Sequence, residues 1–334
     1  MSTIDRSSTA PEFGAYRPPA SPGQAPHAAP ALDGETASKG VLAGVRIVSL
    51  ALNLPGPVAL MRLAQMGAIC DKIEPPALDT ATGDPLASFA PIAFDELHRG
   101  ISRHVLDLKH EESRHTLDTL LGEADVLITS FRPSALQRLG VDRATLHARF
   151  PALAIVNIMG ERGVNAEQPG HDLTYEAQAG LVSDLRLPAV PFADMAGALL
   201  VSDAVLRLLL ARLRDPSALL FEEVALADAA RFLALPREWG LTQSSSPIGG
   251  SHAGYRLYAC RDGRVAVAAL EPRFAAALCR AAGVSEAHAA RLQSPAACGY
   301  FEAFFADREC AEVQRMALEY DLPMAVMPDR PPSA

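Results

Sequence analysis

From Gly44 onward, short β-branched runs alternate with stretches in which apolar residues recur at helical spacing. Val45–Leu50 reads as a strand, Pro57–Met66 as a helix and Ala68–Ile73 as a second strand. Strand, helix and strand in that order imply parallel pairing with the helix as crossover. The series resumes with a strand at Val105–Leu108, a helix at Glu111–Leu121, a strand at Val126–Thr129, short helices to about Phe150 and a strand at Leu153–Ile158. That alternation predicts a doubly wound, Rossmann-like α/β domain with a parallel sheet.

Beyond Gly180 the pattern predicts a long helix at Met195–Arg212, another at Glu222–Ala234, and a Ser/Pro/Gly-rich connection at Thr242–Gly254. A hairpin follows, in which Tyr255–Cys260 and Val265–Leu270 flank Arg261-Asp262-Gly263-Arg264, with Asp-Gly supplying the turn. Helices at Pro272–Ala282, Ser285–Leu292, Gly299–Ala306 and Glu309–Tyr320 complete a smaller α/β domain. The N-terminal segment lacks this periodicity and is rich in Pro, Ala, Ser and Gly, the composition of a disordered leader. The expected organisation is a leader at 1–40, a large domain at 41–213, a helix and linker at 214–254 and a small α/β domain at 255–334.

A chain of 334 residues, 49% hydrophobic and 21% charged, is long enough for one large core and a second, smaller one. Its formal net charge of -9 is spread without acidic or basic blocks. That gives no nucleic-acid footprint and opposes binding to anionic membranes, so an anionic ligand needs local cations. No apolar run reaches the roughly 20 residues that span a bilayer; Met195–Leu213 is interrupted by Ser202, Asp203 and Arg207. No apolar stretch marks a signal peptide, and the five cysteines are scattered without C-x-x-C spacing, against a disulfide framework or a zinc site. A cytoplasmic protein with no metal and no permanently bound cofactor is the expectation.

Several residues stand out chemically. Pro169-Gly170 breaks the chain before His171-Asp172, at the start of a helix predicted to run to about Ala179. There the helix dipole disfavours imidazolium and suits a neutral base, although a His-Asp pair with Asp172 as N-cap is equally ordinary as structure. Asp194 precedes the long helix by one residue and is either its N-cap or a reactive carboxylate that Ala196, Gly197 and Ala198 leave approachable. Glu271, between the apolar strand and Pro272, is either a functional acid at a strand end or a common helix-start residue. The turn Leu54-Pro55-Gly56-Pro57 is not the G-x-G-x-x-G fingerprint, so NAD binding is unsupported. It either holds an anionic group at a helix start or is simply a tight turn.

These residues and their surroundings make the chain, from about Leu42 to Met327, resemble the CaiB/BaiF-like superfamily of family III CoA-transferases and 2-methylacyl-CoA racemases. The resemblance is carried by Gly44-Val45-Arg46-Ile47-Val48, by Leu63-Ala64-Gln65-Met66-Gly67-Ala68 and by Lys72-Ile73-Glu74-Pro75-Pro76. It continues through Ala124-Asp125-Val126-Leu127-Ile128, Ser130-Phe131-Arg132-Pro133-Ser134-Ala135-Leu136 and Arg138-Leu139-Gly140, in that order. It implies a large Rossmann-like domain and a small domain in an interlocked homodimer, acting on a coenzyme A thioester as substrate. In the racemase branch His171 and Asp194 match the two acid/base groups, and Ala269-Leu270-Glu271-Pro272-Arg273-Phe274 resembles the element whose glutamate supports the histidine. In the transferase branch Asp194 matches the aspartate that forms covalent acyl intermediates. Pro55, Gly56, Lys72, Glu74, Arg99, Arg103 and Arg132 are the residues expected to bind CoA, with Lys109 as a further cation.

Racemising the carbon beside a thioester requires bases on opposite faces of a planar enolate and donors for its oxygen, which His171, Asp194 and Glu271 together suit. CoA transfer, the alternative, needs Asp194 as nucleophile and a second acid as acceptor. Three departures from the resemblance motivate a third reading, a non-catalytic acyl-CoA-binding homologue. The expected Lys-Arg-Ser run reads Ile101-Ser102-Arg103, a Gly-rich element reads Asp215-Pro216-Ser217-Ala218, and no C-terminal return to the large domain is recognisable before Ala334.

Overall fold

The computed structural model describes residues 40–77, 82–215 and 220–329. The leader expected at 1–40 lies, but for its last residue, outside the described residues, as do Pro216, Ser217 and Ala218. In chain order come β1 (Arg46–Ser49), α1 (Pro55–Gln65), β2 (Ile69–Glu74), α2 (Pro85–Phe89), α3 (Pro91–Leu97), β3 (Ser102–Val105), α4 (Glu111–Glu123) and β4 (Val126–Thr129). They are followed by α5 (Pro133–Leu139), α6 (Arg143–Arg149), β5 (Ala154–Met159), α7 (Asp172–Gln178), α8 (Phe192–Arg214), β6 (Phe221–Ala225) and α9 (Leu226–Glu238).

These six strands form one parallel sheet in the order β3-β2-β1-β4-β5-β6. Every residue of β4 and β5 is buried, as a parallel strand covered on both faces requires. Successive side chains divide between two cores: Ile47 packs with α1 and α8 on one face, while Val48 packs with Leu117 and Leu121 of α4 and Leu146 of α6 on the other. Strand order reverses between β1 and β4, so this is the expected doubly wound class. A second, antiparallel sheet is built from β7 (Tyr255–Cys260), β8 (Gly263–Ala268) and β9 (Met324–Pro328) in that order, with α10 (Pro272–Ala281), α11 (Pro295–Ala306) and α12 (Cys310–Glu319). It has its own core around Tyr258, Leu278, Phe301 and Phe305.

The structure differs from the sequence pattern in several places, among them the strand β9, which the pattern does not predict. Glu222–Ala225, expected as the start of a helix, belongs to the edge strand β6, and the helix begins only at Leu226. Phe221-Glu222-Glu223-Val224-Ala225 carries no decisive periodicity, and pairing with β5 decides its conformation. The third strand is Ser102–Val105, earlier than Val105–Leu108, because its register is fixed by β2, with Glu74 opposite Val105. In the hairpin Cys260 pairs with Gly263, leaving Arg261 and Asp262 as the loop in place of Asp-Gly. Ser285–Leu292 is a 3-10 segment at Glu286–Arg291, not an α-helix.

A charged cluster is sealed beside the carboxyl end of β2. Lys72 and Glu74 are 0% exposed. The Lys72 ammonium bonds to the Asp84 carboxylate, lies 2.9 Å from His98 Nε2 and 3.5 Å from Glu74 Oε1. Arg103 closes the cluster with two bonds to Glu74, at 3.1 and 3.0 Å, and stacks on the Phe94 ring. Burial alone would raise the Glu74 carboxyl, but bonds from Arg103 and Thr82 and the Lys72 charge hold it below its ordinary range. Burial and the Lys72 charge push His98 down, which leaves it the neutral member. Asp84 also accepts the backbone N–H of Asn53, at 3.2 Å, so the cluster reaches the turn after β1. Replacing Lys72 by Met strands two buried carboxylates beside a single cation; the expected loss is about 3–5 kcal/mol, read by denaturant unfolding.

Candidate functional site

The parallel strands all end on one edge, and a cavity of about 250 Å³ opens there beside the point where strand order reverses. Asn53 follows β1, Arg132 follows β4, Gly160 follows β5 and Leu226 follows β6; His171 and Asp194 arrive at the same cavity from the starts of α7 and α8. Open α/β sheets bind ligands at this position because no crossover covers it. Asn53 adopts a left-handed conformation with φ 65°, which its bond to Asp84 helps to hold.

His171 is itself the N-cap of α7; Asp172, expected as the cap, is the first helical residue. Asp194 is likewise not a cap but sits in the first turn of α8, whose N-cap is Pro191. Proline offers no side-chain acceptor, and the acceptors come from α7 instead. The Asp194 backbone N–H donates to Asp172 Oδ1 at 2.9 Å, and that of Phe192 donates to Glu176 Oε1 at 2.6 Å. Asp172 and Glu176, four residues apart, lie on one helix face.

Three carboxyl groups thus converge without a cation bonded to any of them among the described residues. Burial, then the charges of Asp172 and Glu176, push Asp194 up from the ordinary 3.8 to about 7. Burial, then the neighbouring Asp172, push Glu176 up to about 7. The Asp194 carboxylate makes no hydrogen bond among the described residues, so it is available to the cavity. Beside it stands Tyr175, whose hydroxyl occupies the space a side chain would need at Gly160 or Gly170. Its proton is held more tightly because of burial and the Asp194 charge.

Pro55 and Arg132 share this cavity, and Gly56 is buried in the first turn of α1. Lys72 and Glu74 are buried in the cluster beside β2 with Arg103 bonded to Glu74 from its solvent side, and Arg99 is exposed and paired with Glu96. A second cavity of about 160 Å³, lined by Leu50, Ile73, Glu74, Leu106, Lys109 and Phe131 among others, adjoins the first through Phe131, which lines both. Glu271 is the exposed N-cap of α10 and does not line the cavity of His171 and Asp194. Tyr175 and Glu176 were not singled out from sequence, although the four-residue spacing of Asp172 and Glu176 held the signal. Among the described residues there is no metal-holding cluster, and no helix is long and apolar enough to cross a membrane.

The model of the family described as CoA-transferase family III matches residues 42–330. The cinnamoyl-CoA:phenyllactate CoA-transferase of Clostridium sporogenes is 34% identical over 151 residues, 43% of this chain and 37% of that one. The alpha-methylacyl-CoA racemase of Mus musculus is 28% identical over 261 residues, 73% of this chain and 65% of that one. The chain thus spans less than two thirds of the length of either relative. A crystal structure of Rv3272 from M. tuberculosis superposes with a TM-score of 0.71 at 22% identity, covering 86% of this chain and 83% of that one, a likeness of fold.

A carboxyl whose proton affinity rises on folding contributes stability that is complete below its unfolded pKa and fades as pH rises through its folded one. Thermal unfolding midpoints are therefore expected to fall between pH 5.5 and 8. In Asp194→Asn that fall is smaller, because one of the two raised carboxyls is gone.

Proposed function

The chain belongs to CoA-transferase family III, and within it we propose an acyl-CoA enzyme that moves the proton on the carbon next to the thioester. His171 and Asp194 serve as its acid and base. The observation that carries this reading is their placement on one cavity, with the Asp194 carboxyl raised to about 7. A group balanced between its two protonation states near neutral pH both takes and returns a proton efficiently. The cavity, at about 250 Å³, suits the acyl-thioester end of the substrate and not the nucleotide. The adjoining cavity with Lys109 is our proposed location for part of the CoA moiety, and Arg132 our proposed contact between the two. Lys72 then acts by holding Asp84, and through it the Asn53 turn, while Arg103 is bonded to Glu74, which itself lines the second cavity. A homodimer is part of the proposal, supported by the exposed Leu199, Leu210 and Leu213 on α8, Phe232 on α9 and Trp239 at the C-cap of α9.

CoA transfer through Asp194 is the second reading. It is favoured by the free carboxylate, which is positioned to attack a thioester carbonyl.

Incubation with one enantiomer of a 2-methylacyl-CoA in deuterated water separates the two readings. Deuterium at carbon 2 with loss of optical purity is expected, slowed about 10²–10⁴-fold in Asp194→Asn. The rate for the enantiomer whose proton Asp194 removes rises as pH passes upward through about 7, where that carboxyl ionises. The rate for the other, which needs Asp194 protonated, falls. No exchange in protein that binds acyl-CoA, together with an Asp194 hydroxamate trapped by hydroxylamine, establishes transfer instead.

A further inference from the structure

We propose that Glu176 is a positioning residue that fixes the start of α8, and with it Asp194, from the neighbouring helix α7. The proposal rests on reading Asp194 as the reactive carboxylate, but its structural half can be tested without any activity.

The N-terminus of α8 needs acceptors because the first backbone N–H groups of a helix have no partner within it. The preceding residue is Pro191, which supplies none, and no side chain of α8 caps its own start. Glu176 Oε1 takes the first of these donors, from Phe192, and Asp172 Oδ1 takes the third, from Asp194 itself. Since Glu176 is fully buried, water does not compete for that bond. His171 caps α7, so the two helices that carry the candidate acid and base are fastened together at their reactive ends.

The remaining oxygen, Glu176 Oε2, is buried with no donor among the described residues. Glu176 interacts with Asp172, a carboxylate four residues earlier on the same face, and two adjacent anions repel. A proton on Oε2 removes the repulsion and gives the oxygen a use, since the hydroxyl then donates to Asp172. Glu176 in this form has one donor and one acceptor, each matched. Glutamine has the same shape and the same pair, with Nε2 donating to Asp172 and Oε1 accepting from Phe192.

The test compares Glu176→Gln with Glu176→Leu, which fills the buried site but can neither accept nor donate. Amide hydrogen exchange, followed by mass spectrometry on the peptide that covers the first turn of α8, is expected to be as slow in Glu176→Gln as in the wild type. In Glu176→Leu it should be about tenfold faster, the consequence of losing one such bond. For the acyl-CoA reaction, kcat is retained in Glu176→Gln and falls about tenfold in Glu176→Leu with KM little changed, since only the reactive carboxylate is misplaced.

Unprotected exchange in Glu176→Gln, or failure of that variant to fold, overturns the proposal, as does wild-type exchange and kcat in Glu176→Leu. If Glu176→Leu does not fold, the Glu176→Gln result decides alone. If the wild type lacks the proposed activity but the exchange pattern holds, Glu176 still positions α8 and only the functional reading of Asp194 fails.

Discussion

The reversal of strand order between β1 and β4 is the constraint from which the rest of the large sheet follows. Parallel strands need crossovers, and crossovers running outward in both directions from the middle of a sheet leave the carboxyl ends of the central strands uncovered. Residues as far apart in the chain as Asn53, Arg132, Gly160 and Asp194 meet there because every strand points the same way. At this edge the Asn53 turn is held by the Asp84 carboxylate and the start of α8 by the carboxyl groups of Asp172 and Glu176.

Two charge clusters do the fixing, in opposite ways. Around Lys72 the charges are balanced: two cations face Glu74 and Asp84, every partner lies within hydrogen-bonding or ion-pairing distance, and Lys72, Glu74 and Asp84 are closed to solvent. Such a cluster is rigid and chemically silent. At Asp172, Glu176 and Asp194 three acids meet without a bonded cation among the described residues, and burial and mutual repulsion make Glu176 and Asp194 hold protons that isolated carboxyls would release. The imbalance is tolerated because the dipole of α8 and the N–H groups that its first turn donates to Glu176 and Asp172 offset part of it. A cluster of the first kind suits architecture, and one of the second kind suits proton chemistry.

Membership of CoA-transferase family III accounts for the fold and for the type of substrate expected. His171 is exposed at the cap of α7, Asp194 is half-buried in the first turn of α8, and Tyr175 lies between two glycines that leave room for its hydroxyl. Glu271, the N-cap of α10, does not line that cavity within one chain.

The amino-acid sequence by itself determined the fold class, because runs such as Val126–Thr129 and Ala154–Met159 are apolar on both faces and helices separate them. It also marked His171 and Asp194, since chain-breaking Pro-Gly and small residues around an acid are local signals. Only the tertiary structure decided which charges were available. Lys72 and Arg103 look like ligand-binding cations in sequence but are committed to Glu74 and Asp84, and the carboxylates they pair with are not near neighbours in every case. It also decided β6 and β9, whose conformations come from pairing with β5 and β8, and the role of Glu176, whose partner lies 16 residues away on another helix. Periodicity and turn chemistry are written within a few residues of one another, whereas burial, pairing and the sharing of a proton depend on which distant segments the fold brings together.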